Sequence, residues 1–254
     1  MKITFLGTGT SQGVPVIGCE CDVCQSLDFR NKRLRTSVHI EVNKKSFVID
    51  TGPDFRQQML REKIKRLDAV IFTHEHKDHT AGMDDVRSYN FLQNKEMPIY
   101  AHERVLDQLK MEFSYVFNHK AYPGVPQIGT NEISKDQPFL IEGIKFIPIE
   151  VMHYKLPVLG FRVNDFTYIT DANYISEEEK KKIKGSKIVV INALQKKKHI
   201  SHFNLEEAIE MADELGANTT YFTHISHKLG LHGDIEKELP ENVIIAHDGL
   251  TINL

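Results

Sequence analysis

The chain has 254 residues, of which 41% are hydrophobic and 26% charged, and a formal net charge of −3. Those proportions are globular averages, so they exclude a disordered or fibrous protein, and the length allows one domain with a sizeable core. The slightly acidic balance excludes retention of nucleic acid by bulk electrostatics, and no apolar run approaches the ~20 residues of a membrane span.

A strand is predicted over Lys2–Leu6, followed by a glycine-rich turn from Gly7 to Gly13. Strand-like runs cover Thr36–Val42 and Ser46–Ile49, and Asp50-Thr51-Gly52-Pro53 breaks the pattern. Asp54 is placed to cap a helix reaching Lys65, with Phe55, Met59 and Leu60 on one face. The apolar run Ala69–Phe72 reads as a buried strand. A helix starts close after it and runs through Val86 to Leu92. Met97–Ala101 reads as a strand and Glu103–Phe117 as a helix, whereas 118–137 is rich in turn formers. Strand signals then dominate Phe139–Val151, Gly160–Val163 and Phe166–Ile169, with Asn164-Asp165 suited to a tight hairpin. A charged helix is expected over Ser176–Ile183, a strand over Lys187–Ile191 and an amphipathic helix over Asn204–Leu215, ended by Gly216. Strands near Thr219–Phe222, Val243–Ala246 and Leu250–Asn253 close the chain. Each half gives strands followed by helices, with no repeat or linker. That order fits an α/β sandwich of two sheets with helices outside, spanning 1–254 as a single domain.

His74-Glu75-His76-Lys77-Asp78-His79 carries the chemistry. A lone histidine is ordinarily a surface or satisfied core residue, and the chain has 13. Three imidazoles and a carboxylate crowded after a buried strand are different. Unpaired, they would repel on protonation and resist desolvation; a divalent metal removes both objections. Three further polar residues sit just beyond apolar strands: His153, Asp171 and His224. Loops at one sheet edge are where a rigid scaffold presents functional groups. All three cysteines lie in Cys19–Cys24. A Cys21–Cys24 disulfide would strand Cys19 and need an oxidising compartment, whereas a Cys₃His zinc site needs an imidazole from elsewhere. The apolar part of Met1–Leu6 is too short for a signal peptide, so a cytoplasmic address is the expectation.

The order His-x-His-x-Asp-His, then His, Asp and His, resembles the metallo-β-lactamase superfamily. The resemblance implies a four-layer αββα sandwich with a two-metal site at the sheet edges. His74, His76 and His153 would hold one metal, Asp78, His79 and His224 the other, and Asp171 would bridge them. Asp50 matches an early aspartate of the family, with a catalytic part played by orienting a ligand. Gly7–Pro15, Cys19–Cys24, Phe222–His227 and Asp248-Gly249 are similar to the branch containing the cyclic phosphate phosphodiesterase of bacterial phosphonate breakdown. That branch places the fourth ligand of a structural zinc at His227, beside Cys19, Cys21 and Cys24. It also singles out His202, rather than His199, as general acid or phosphate contact. The expected cofactors are therefore two divalent metals, manganese, zinc or iron, plus one structural zinc. The expected partner is a small phosphodiester, with no membrane and no stable nucleic-acid complex; a homodimer is compatible with the sequence.

Residues 84–127 depart from the phosphonate enzyme and read as an added helical stretch that could cap the site. Its aromatics Tyr89, Phe91, Phe113, Tyr115 and Phe117 have the spacing of core residues. Rival activities on the same ligand set are tRNA 3′-end processing and thiolester or lactam hydrolysis. A metal-binding protein without catalysis is the outsider.

Overall fold

The computed structural model describes residues 1–118 and 124–254. Its first sheet contains β1 (Lys2–Gly7), β2 (Ser37–Val42), β3 (Lys45–Ile49), β4 (Ala69–Ile71), β5 (Met97–Ala101) and β6 (Ile128–Glu132). The second contains β7 (Phe139–Ile141), β8 (Ile144–His153), β9 (Leu156–Val163), β10 (Phe166–Tyr168), β11 (Tyr174–Ile175), β12 (Ile188–Asn192), β13 (Thr219–Thr223) and β14 (Val243–Ile245). The last strand, β15 (Thr251–Asn253), returns to the first sheet and pairs with β1. The sheet orders are β15-β1-β2-β3-β4-β5-β6 and β11-β8-β9-β10-β12-β13-β14, with β7 on β8. Among the described residues, no helix is long and apolar enough to cross a membrane.

Apolar side chains on both faces of the central strands explain the layering. On β4, Ala69 and Ile71 join the inter-sheet core with Phe5, Phe47, Phe146 and Phe166. Val70 and Phe72 pack outward with Phe55, Val86 and Leu109, on the helices that cover the first sheet. On β12, Val190 faces inward, while Val189 and Ile191 pack under the helix Leu205–Leu215. Strands buried on both faces read as continuous apolar runs, which is why these two are evident in the sequence. The architecture is the four-layer αββα sandwich.

Several predicted boundaries move. The helix after Asp54 stops at Arg61, not Lys65. Asp54 does not cap it, because its carboxylate accepts from the Arg35 backbone N–H (2.8 Å) and guanidinium. Leu60 is exposed, off the face shared by Phe55 and Met59. The helix expected over Glu103–Phe117 ends at Glu112, with Phe113 turning the chain before Ser114–Phe117. The turn-rich region hides β6, an edge strand with no fully buried residue. Strand β9 starts at Leu156, four residues before Gly160. A helix over His232–Glu238 was not signalled by the sequence. Of the aromatics in the 84–127 stretch, Tyr89 and Phe113 are core, but Phe91 and Tyr115 are exposed. The described helices of that stretch pack on the outer face of the first sheet; residues 119–123 lie outside the described part.

Candidate metal centre

Strand ends of both sheets converge at one edge. His74 follows β4, His153 ends β8, Asp171 follows β10 and His224 follows β13. Asp50, Asp171 and His224 all adopt left-handed backbone, with φ of 65°, 57° and 55°. Such conformations cost non-glycine residues on the order of 1–3 kcal/mol and concentrate at functional sites. Gly52 is needed nearby, because a Cβ there would strike the Asp78 carbonyl. Its absence lets the 50–53 loop press against the turn that carries Asp78 and His79.

The donor atoms fall into overlapping groups, each within 4.8 Å: His74, His76 and His153; Asp78, His79, Asp171 and His224; and His153, Asp171 and His202. His74 Nε2 is 3.0 Å from His76 Nδ1. His79 Nε2 stands 3.2 Å from both Asp78 Oδ2 and Asp171 Oδ2. His224 Nε2 stands 3.2 Å from Asp171 Oδ1 and 3.6 Å from Asp78 Oδ2. Ligands bound to one metal at ~2.1 Å in a tetrahedron are ~3.4 Å apart, so these separations are those of a coordination shell.

His79 Nε2 and both ring nitrogens of His224 are buried without a hydrogen-bond partner, despite the nearby carboxylates. The two Nε2 atoms converge on the carboxylates of Asp78 and Asp171. A buried polar atom left so is costly, and a divalent cation beside Asp78 and Asp171 would satisfy Nε2 of both His79 and His224. The residues therefore fit metal binding.

Charge in the cluster is strongly coupled. Burial opposes a charge on His79, but Asp78, Asp171 and Asp50 outweigh it and raise its affinity for a proton well above normal. Burial would raise Asp171, yet His224 and His79 hold its carboxyl well below the usual range. Burial lowers His74 far below the ordinary histidine range, with His79 adding to the effect. The carboxylates thus demand positive charge at the centre, and the imidazoles are suited to deliver lone pairs to it.

An outer ring fixes the ligands. Asp50 Oδ2 accepts from His79 Nδ1 at 2.7 Å, which turns Nε2 toward the centre. Asp50 itself accepts from the Thr73 N–H (2.9 Å) and hydroxyl (2.8 Å). His153 Nδ1 donates to the Ser201 carbonyl at 2.9 Å, leaving Nε2 free. Orienting bonds of this kind set tautomer and basicity. The alternate residues of the motif turn away: Glu75 pairs with Arg104 at 2.9 Å and Lys77 with Glu112 at 2.6 Å, both on the helix Glu103–Glu112. Thr73, Ser201 and Arg104 gave no sequence signal, because two act through common hydrogen bonds and one through distant pairing.

His202 is buried at the centre, with Nε2 3.0 Å from Asp171 Oδ1. Its Nδ1 lies 3.0 Å from Ser201 Oγ and 3.2 Å from His199 Nδ1. Burial holds its pKa down to about 4, against the pull of Asp171. Burial thus favours the neutral imidazole, and an ionised Asp171 can only accept from its Nε2.

The cysteines form a second cluster. Cys19, Cys21 and Cys24 Sγ lie 3.3, 3.4 and 3.5 Å from His227 Nδ1. A tetrahedral zinc with bonds of ~2.3 Å to sulfur and ~2.0 Å to nitrogen has S···N edges of ~3.5 Å. The Cys24 N–H, with smaller help from His227, lowers the Cys21 thiol to about 6, while burial pushes Cys24 up to about 11. The two clusters are joined by backbone. Gly9 bridges Ile225, with Thr10 N–H to Ile225 O (3.1 Å) and Ile225 N–H to Thr8 O (2.8 Å), between His224 and His227. Asp248 holds the same turn by accepting from the Thr8 N–H and hydroxyl and the Leu34 N–H.

Residues 45–225 match the family described as the beta-lactamase superfamily domain. A crystal structure of a diphosphatase from the PhnP family superposes with a TM-score of 0.93 at 38% identity, covering 100% of this chain and 97% of that one. An octanoyltransferase of Porphyromonas gingivalis is 39% identical over 252 residues, 98% of this chain but 51% of that protein. Ribonuclease Z of Bacillus licheniformis is 24% identical over 170 residues, 65% of this chain and 49% of that protein. The chain spans about half the length of the curated relatives it matches.

Proposed function

The chain belongs to the metallo-β-lactamase superfamily, in its PhnP-like branch, and from that premise we propose that it is a metal-dependent phosphodiesterase. The reading is carried by Asp171. This buried carboxylate shares one donor group with Asp78, His79 and His224 and another with His153 and His202. That placement suits a bridge between two cations. The His74, His76 and His153 group would hold one, and the Asp78, His79 and His224 group the other. Nitrogen and oxygen donors suit zinc, manganese or iron, whereas the cysteine cluster favours zinc. When bound, such a pair supplies a nucleophilic water at neutral pH and offsets charge on the phosphate.

The protein's own groups do the rest. His76 is exposed and His153 partly so, while His79, Asp171 and His224 are buried. Substrate therefore enters from the His76–His153 side. His202 stands beside Asp171 at the centre, and we assign it the role of general acid or phosphate contact. Asp50 keeps His79 aligned throughout the reaction. The branch relative's name, a diphosphatase, and the ribonuclease relative both concern phosphate bonds, which supports the reaction class.

The octanoyltransferase relative favours a second reading, cleavage or transfer of an acyl thioester. A turnover panel on metal-loaded protein separates the two. It contains bis(p-nitrophenyl) phosphate, 2′,3′-cyclic nucleotides, a ribosyl cyclic phosphate and an octanoyl thioester. Hydrolysis of phosphodiesters is expected. Thioester cleavage without any phosphodiester turnover would replace the first reading by the second.

A further inference from the structure

A cleft of about 460 Å³ opens at the edge of the first sheet opposite the metal centre. Strand β3 starts beside it with Lys45 and ends at Ile49, next to Asp50, so roughly 16 Å of strand separates the two. The floor is the outward face of β1, β2 and β3. On that face Leu6 and Val48 join the core under the helices, but the row beyond them is polar: Thr4, His39 and Ser46, all buried. Thr4 pairs with His39 and Glu41 with Ser46, which puts them on one side of the sheet. The Ser46 hydroxyl donates to the Arg66 carbonyl at 2.6 Å, so it can only accept from His39 Nε2 at 2.7 Å. Burial holds the His39 pKa down to about 4, and the neutral ring is left with a bare lone pair on Nδ1. The nearest acid, Glu41 Oε1, stands 3.9 Å from that atom, beyond hydrogen-bond length. A buried imidazole with an unused acceptor therefore lines the cleft.

The rim supplies charge. Six cations line the cleft against two carboxylates, Glu41 and Glu62. Lys2, Lys45 and Arg66 are paired, with Glu41, Glu142 and Asp68 at 3.3, 2.6 and 2.7 Å, and Glu62 is taken by Arg61. Lys44, Lys63 and Lys65 have no acidic partner among the described residues, in a chain whose net charge is −3. Two of these lysines stand where glycine is the ordinary choice. Asn43 and Lys44, with φ of 50° and 62°, form the two-residue turn between β2 and β3, a geometry that favours glycine second. Lys63, with φ of 54°, follows the cap of the helix Phe55–Arg61, and the Ile64 N–H returns to the Met59 carbonyl at 3.1 Å. That left-handed stop also favours glycine. Lysines kept in costly conformations on two separate segments, at the rim of one cleft, point to a use for their charge. A hydrogen phosphate matches rim and floor together: anionic oxygens for the ammonium groups, and an O–H to donate to His39 Nδ1. Sulfate and a phosphodiester backbone have no proton to give and would use the rim alone.

We propose that this cleft is a binding site for a hydrogen-phosphate group, that of inorganic phosphate or of a phosphate monoester, remote from the metal centre. The proposal does not depend on the reaction assigned there. Nuclear magnetic resonance of the zinc-loaded protein, labelled with ¹⁵N-histidine, would follow titrations at about pH 6, where roughly half of a monoester still carries its proton. His39→Gln assigns the His39 signals. Inorganic phosphate should shift them saturably, and sulfate should bind ~10-fold more weakly, the scale of one hydrogen bond. Ribose 5-phosphate is the second probe: if it binds tighter than inorganic phosphate the ligand is a monoester, and if weaker it is the free ion. Lys44→Gly and Lys63→Gly combined in one protein suit both turns, so the thermal midpoint and metal content should hold while phosphate affinity falls ~10-fold. Shifts confined to His153 and His202 would place the anion at the metals and overturn the site. Sulfate binding as tightly as phosphate, or full affinity in K44G/K63G, would overturn it too. A short oligothymidylate that shifts His39 and binds tighter than either phosphate would make the cleft a nucleic-acid groove instead.

Discussion

The histidine–aspartate cluster grows from strand ends, whereas the cysteine cluster grows from a loop. His74, Asp171 and His224 are anchored by β4, β10 and β13, whose side chains fill the layers of the sandwich. Cys19, Cys21 and Cys24 sit around a four-residue helix, with only a small apolar cluster of Val14, Val23 and Cys24 beneath them. The first scaffold is packed on both faces of its strands and holds left-handed backbone at Asp50, Asp171 and His224. The second has little buried apolar surface beneath it, so a metal bound there would contribute folding energy. On the proposed reading, one cluster is organised by the fold to do chemistry and the other uses a metal to complete the fold. Because Gly9 and Ile225 join them, damage at the cysteines is expected to reach His224 in weakened form.

The largest effect tests the shared carboxylate. Asp171→Asn should lower phosphodiester kcat/KM by ~10³-fold, the upper range for loss of one preorganised polar group, with the fold retained by circular dichroism. Next, Asp50→Asn should weaken metal affinity by ~10–100-fold, since it removes an orienting partner rather than a ligand. Competition with a chelator would measure it. Full affinity in D50N would mean that His79 is aligned by packing alone. Cys24→Ser should show the opposite balance. Activity should fall only several-fold, while the thermal midpoint drops, by about 2–4 °C for each kcal/mol lost in a chain of this size. An unchanged midpoint would remove the structural role of the loop cluster.

The smallest effect concerns neither cluster. His39 is buried at the other end of the first sheet, 2.7 Å from Ser46 Oγ, and burial holds its pKa down to about 4. As pH falls below 6.5 the unfolded chain takes up this proton first. Its contribution is therefore intact above about pH 6.5 and is lost toward pH 4, by at most ~3 kcal/mol. His39→Gln should flatten that part of the stability profile without moving metal content.

The strands that carry the centre were legible because burial on both faces makes them continuous apolar runs. The candidate ligands were legible because they crowd together or follow those runs. What was lost depends on partners far along the chain. The edge strand β6 has no apolar signature, and the break at Phe113 reflects packing under the helix layer. Thr73 and Ser201 act through a hydroxyl and a carbonyl, neither of which a residue type reveals. The Cys₃His grouping was legible only through likeness to a family, since spacing alone leaves the fourth ligand open.

Metal content of the parent and C24S proteins, measured after growth with zinc and manganese, tests the two-cluster account most directly. The account predicts close to three metals per chain in the parent and two in C24S, with zinc the one lost. A parent near one metal per chain, or a C24S protein that loses all of them, would contradict it.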